Sequence, residues 1–217
     1  MAKKKNITQD QIIEWYMNDV LTDTDVLKSV FSFAQSHQFD ETKFYEFFSG
    51  FQHLDKVIFK IFGQKTLEIL SEDMEYSRGD ARHKTLSFYF TFFELLTANR
   101  SFVVQKLKSN ANKLESLMCL KELRMVFIDF VQGLDVQKMD LKNETLTKIQ
   151  TTSYQESAWV QFLFCLQFWL NDESPRFEKT DLFIEKSVRA AFDLTETTPL
   201  NSVLDFAKFI YQEKFSR

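Results

Sequence analysis

Only four glycines and two prolines punctuate this chain of 217 residues. Hairpins and tight turns depend on residues that accept a positive φ or pre-set a bend, and phosphate-cradling loops depend on glycine runs. Neither a β-rich fold nor a dinucleotide-binding fold is therefore expected, and the remaining solution is an all-α chain. Thr8 followed by Gln11 makes a capping-box pattern, after which Ile12, Ile13, Tyr16, Val20 and Leu21 recur at helical spacing. A polar break at Asp23 to Asp25 precedes a second predicted helix carrying Val26, Val30, Phe33 and Ala34, which ends near Ser36-His37-Gln38. Asp40 stands where an N-cap belongs, and Phe44, Phe47, Phe48 and Phe51 follow at i, i+3, i+4 and i+7, predicting a short third helix. Asp55 is expected to cap a fourth helix running to about Tyr76, before the punctuation Ser77-Arg78-Gly79-Asp80. Longer helices are predicted over 81–98, 100–108, 111–133, 152–171, 178–194 and 199–216, the last with Pro199 in its first turn.

Composition narrows the class further. Twenty-five Phe, three Trp and six Tyr are more than a small helical core needs, so an apolar enclosure is expected. The formal charge of −4 gives no bulk attraction to nucleic acid, and any DNA contact has to be local. Cys119 and Cys165 lack metal or disulfide spacing, and the MAKKKNITQDQ start lacks an apolar signal region, so a cytoplasmic protein is expected. The longest uncharged run, Ser157 to Asn171, is too short for a membrane span and reads as a buried helix.

The segment from Lys28 to Leu54 carries a sharper pattern. Phe33-Ala34 close the second helix, Asp40 takes a capping place, Lys43-Phe44-Tyr45-Glu46-Phe47-Phe48 form the third, and Leu54 follows without a gap. In this the chain resembles the TetR family of transcriptional regulators. The resemblance implies a three-helix helix-turn-helix head, residues 1–56, followed by a larger helical domain, residues 57–217, that binds a ligand and dimerises. It implies DNA, a second copy of the chain, and an apolar small molecule or lipid as partners. It departs from the family in charge: Glu41 and Glu46 replace residues that are usually basic, small or His, the turn glycine is replaced near Gln38, and residues 28–54 sum to −1. The candidate DNA contacts are the Lys3-Lys4-Lys5 arm, Lys28, Ser29, Lys43 and the outward Tyr45.

In the C-terminal part, Leu86 to Leu96 is apolar nearly all round. The helix from Trp159 carries two stripes, Trp159, Phe162, Leu166 and Trp169 on one and Val160, Phe164 and Phe168 on the other. Two stripes call for two neighbours, the subunit's own core and a partner subunit, and Trp159, Leu166 and Trp169 are the candidate dimer residues. Phe88, Phe92, Phe127, Phe130, Phe162 and Phe168 are the candidate lining of an apolar ligand cavity. HExxH, GxSxG and Walker patterns are absent, and Asp80 with His83 lacks the second pair that a helical di-iron site requires, so neither enzyme activity nor a metal or other cofactor is expected. Two functional readings follow: a regulator whose DNA binding responds to an apolar ligand, or a TetR-fold accessory protein that binds lipids or isoprenoids and no longer binds DNA. The second is similar to the accessory protein of ubiquinone biosynthesis.

Overall fold

The structure, a computed structural model, describes residues 7–22, 24–108, 117–135 and 144–196, without the side chains of 144–150 and 194–196. Lys3, Lys4 and Lys5, the start of the helix expected over 111–133, and the whole of the one expected over 199–216 lie outside the described residues. Every regular element among the described residues is helical: α1 Gln9–Thr22, α2 Val30–Ser36, α3 Glu41–Tyr45, α4 Phe51–Ser71, α5 Met74–Arg78, α6 Ala81–Ala98, α7 Arg100–Leu107, α8 Lys121–Gln132, α9 Glu144–Asn171 and α10 Glu178–Glu196. Short 3-10 turns occupy Val26–Lys28 and Pro175–Phe177. None of the described helices is long and apolar enough to cross a membrane.

Capping explains most of the boundaries, including those the periodicity misplaced. The Thr8 N–H donates to Gln11 Oε1 at 3.1 Å and the Gln11 N–H to Thr8 Oγ1 at 3.3 Å, the expected reciprocal box. Ser29, in an extended conformation, accepts from the Ser32 N–H at 3.1 Å, so α2 starts at Val30 and detaches the turn at Val26–Lys28. Asp40 Oδ1 accepts from the Thr42 N–H at 2.9 Å and opens α3 as expected. The fourth helix opens at Phe51 rather than at Asp55, because Asp55 is drawn inward by partners described below. It stops at Ser71 rather than Tyr76, because Asp73 accepts from the Glu75 N–H at 2.8 Å and starts the separate turn α5. Asp80 does the same for α6 through the His83 N–H at 2.7 Å. The helix expected from residue 152 begins at Glu144, in a threonine-rich stretch that holds no glycine or proline to stop it.

The chain divides into two compact units, Met1–Leu67 with Phe92–Val126, and Glu68–Thr91 with Phe127–Arg217. In the first unit the core is aromatic. Phe33 stands edge-on to Tyr16, Phe44 and Phe51 with ring centres 6.5, 6.1 and 5.8 Å away, and Phe44 meets Phe48 at 5.5 Å. Each buried ring of this kind stabilises by about 1.5–3 kcal/mol. Helix α7 joins this core through Phe102, whose ring lies 6.4 Å from both Tyr16 and Phe59. A polar triad sits beside it. The Tyr16 hydroxyl donates to Asp55 Oδ1 at 2.8 Å, and Lys106 Nζ donates to the Tyr16 hydroxyl at 2.6 Å while pairing with Asp55 Oδ1 at 3.0 Å. Burial first, then the Asp55 charge, hold the Tyr16 phenol far above its ordinary range. Gly63 lets α4 approach α8 closely, since a Cβ there would come within 2.7 Å of Leu123 Cδ1.

The second unit has its own aromatic core. Phe88 stacks on Phe130 at 4.5 Å, Phe127 meets Phe162 at 4.8 Å, Trp159 stacks on Phe162 at 5.1 Å, and Tyr89 lies 5.8 Å from Phe162. Helices α9 and α10 pack on each other, with Phe168 stacked on Phe183 at 4.5 Å. Asp172, between them, accepts from both the N–H and hydroxyl of Ser174 and from both the N–H and hydroxyl of Thr180.

Candidate functional site

The head is built so that α3 is fixed from beneath and bare above. Its Phe44 is fully buried against Phe33, and the neighbouring Phe48 closes the same core. The link between α2 and α3 is held by backbone bonds from the Phe39 N–H to the Ala34 carbonyl at 2.9 Å and from Gln38 to Gln35 at 3.1 Å. That pattern needs a left-handed residue, and Gln38 supplies it at φ 57° where a glycine would fit without strain. His37 pins the turn to α1: its Nε2 lies 2.7 Å from Asp19 Oδ2, and its ring stacks on Trp15 with centres 4.8 Å apart. Spacing in the sequence did not reveal this contact, because the partners sit 18 or more residues apart on different helices.

The outward positions of the head carry little positive charge. Tyr45 is 53% exposed, as expected of an outward tyrosine, and Thr42 and Glu46 are exposed beside it. Lys43 Nζ donates to Glu46 Oε2 at 2.6 Å and lies 5.2 Å from the centre of the Phe47 ring. Lys28 pairs with Asp25 at 2.9 Å, and the Ser29 hydroxyl is engaged as the cap of α2. Exposed pairs of this type hold by only about 0–1 kcal/mol, so a phosphate can displace them. Lys56, half-buried in α4, makes no ion pair among the described residues, and the sequence reading did not single it out. The helical register of α4 after Phe51 would have found it.

Of the six candidate lining residues, Phe88, Phe127, Phe130 and Phe162 come together in one buried cluster of the second unit. Phe92 is buried in the first unit, edge-on to Phe93 at 5.7 Å. Phe168 is half-buried between α9 and α10, stacked on Phe183. The candidate dimer residues Trp159, Leu166 and Trp169 are all buried within the chain itself. The exposed face of α9 carries Val160 and Phe164, the latter 62% exposed, and α10 adds the exposed Leu182. Cys165, on the inner side, is fully buried; burial pushes its thiol up to about 11 against the opposing contact with the Ser187 hydroxyl.

A family model described as tetracyclin repressor-like, C-terminal domain, matches residues 84–210, more than half of the chain. No curated protein matches the sequence.

Proposed function

Because the chain belongs to the TetR family, we propose that it is a cytoplasmic, homodimeric one-component transcriptional regulator, with a DNA-docking head at residues 1–56 and a ligand-binding, dimerising domain at 57–217. The observation that carries this reading is the head: a capped α2, a turn fixed to α1 by His37, and an α3 whose outer side presents Tyr45 and Thr42 above a buried Phe44. Lys28, Ser29, Lys43 and Tyr45 supply the contacts, helped by Lys56 and the Lys3-Lys4-Lys5 arm. An apolar ligand enters the second unit beside Phe88, Phe127, Phe130 and Phe162, and its uptake changes the affinity of the head for DNA. With Glu41 and Glu46 on the same helix, binding is weak and falls steeply with salt. Pull-down of genomic DNA at low salt tests the reading. Enriched sites, weakened by Lys43→Ala, Lys56→Ala or Tyr45→Phe, support it, and their complete absence overturns it.

The acidic α3 favours a second reading, in which the head has lost DNA and the protein is a lipid- or isoprenoid-binding accessory protein. Lys43 held by Glu46 is the observation behind it. Mass spectrometry of lipids that co-purify with the chain, together with a melting temperature raised by a long-chain fatty acid or a quinone, separates this outcome from an empty core.

A further inference from the structure

Helix α7 lies outside the helix-turn-helix yet belongs to the same compact unit, and its Lys106 makes a charged contact with the head. The ammonium reaches two helices at once. It donates to the Tyr16 hydroxyl of α1 at 2.6 Å and to Asp55 Oδ2 of α4 at 3.2 Å, and it lies 4.7 Å from the centre of the Tyr16 ring. The three residues are separated by 39 and 51 positions along the chain, so local helix formation does not bring them together. Tyr16 in turn stacks on Phe51, the first residue of α4, at 5.3 Å and stands edge-on to Phe33 of α2.

We propose that Lys106 is a latch, a positioning residue on α7 that holds α1 and the first turns of α4 in one arrangement and frees them together when it withdraws. Partial exposure of Lys106 is what makes withdrawal possible without unfolding. The Lys106 side chain retains 17% exposure, so its long stem can carry the ammonium to water by a change of rotamer. Asp55 then keeps the Tyr16 hydroxyl as a donor, so the carboxylate left behind is not without a hydrogen bond. What is lost is the tie to α7. The released segment is α1 with the opening of α4, the two helices that flank the helix-turn-helix. A shift of α7 along its own axis by a fraction of a turn suffices to break a contact of this length. The internal order of the head does not depend on what the head contacts, so absence of a latch leaves the proposed function untouched.

Hydrogen exchange on the full chain tests it, comparing the parent with Lys106→Met, which keeps the stem beside Phe102 and removes the charge. Exchange of the α1 amides and of the first two turns of α4 is expected to accelerate by on the order of tenfold or more, with α9 and α10 unchanged. Lys106→Arg, which keeps a long cation, restores most of the protection. Equal acceleration in every helix would mean that Lys106 only supports global stability, and unchanged α1 exchange would mean that no latch exists; either overturns the proposal. Should Lys106→Met fail to fold, Tyr16→Phe removes the hydroxyl that Lys106 grips while keeping the ring, and the same local pattern is required of it.

Discussion

Gln38 holds a left-handed conformation at φ 57° between α2 and α3, where a Cβ costs about 1–2 kcal/mol. Glycine removes that crowding but gives the unfolded chain more freedom, so Gln38→Gly is expected to stabilise by about 0.5 kcal/mol net. A urea midpoint that falls instead of rising would refute this. The position was visible in the sequence as a turn, since Ser36-His37-Gln38 interrupts two apolar patterns. The contacts that make the turn rigid were not visible, because Trp15, Asp19 and His37 meet only after α1 packs on α2. Cys165 gives a second prediction at this scale. Its burial and a thiol pushed up to about 11 leave almost no thiolate at pH 8, so iodoacetamide is expected to spare it in the folded protein and label it after denaturation. Rapid labelling of the native chain would show an open path to the α9–α10 interior.

Elements of the second unit depend on one carboxylate. Asp172 ends α9 and, by accepting four hydrogen bonds from Ser174 and Thr180, sets the start of α10. The turn between them includes Arg176 and Phe177, both at positive φ, which α10 could not follow without such a tie. Burial raises the Asp172 carboxyl, but the four bonds together outweigh it and hold the group at about 2, below its ordinary 3.8. The sign follows: these bonds contribute fully above pH 4, and their contribution is lost as pH falls from about 4 towards 2, where the unfolded chain takes up the proton first. Asp172→Asn is therefore expected to destabilise by about 1–3 kcal/mol at pH 7 and to flatten the dependence of the urea midpoint on pH between 4 and 2.5. A variant that keeps the parent's acid slope would place that slope elsewhere. At this scale much was legible in the sequence. Helices α6 and α7 fall where periodicity put them, within a residue. The misplaced ends of α4 turn on polar side chains with two possible partners. Asp55 looks like a cap until Tyr16 and Lys106 claim it, and Asp73 looks like part of a solvated tract until it caps α5.

For the whole molecule, the two stripes of α9 predicted two neighbours, and the sequence reading assigned the Trp159 stripe to the partner subunit. The wider Trp159, Phe162, Leu166 and Trp169 stripe is the one the chain buries for itself, because the indole and phenyl rings find partners in the second unit. The narrower one leaves Val160 and Phe164 uncovered, each worth about 1.5–3 kcal/mol when a second copy covers it. Glutamate at the two kinds of position has different consequences. In Phe164→Glu the carboxylate is solvated in the monomer, so folding is preserved, and it is desolvated only if a partner covers that face. In Trp169→Glu a charge enters a fully buried site and leaves a cavity, which costs more than a domain of this size has to spare. The parent is expected to scatter light as a dimer at micromolar concentration, Phe164→Glu as a monomer with an unchanged helical circular dichroism spectrum, and Trp169→Glu to be unfolded or insoluble. A Phe164→Glu protein that remains dimeric would remove this face from the interface. If Trp169→Glu proved folded and monomeric, the Trp159 stripe would return as the dimer contact and the inward assignment of these side chains would have to be abandoned.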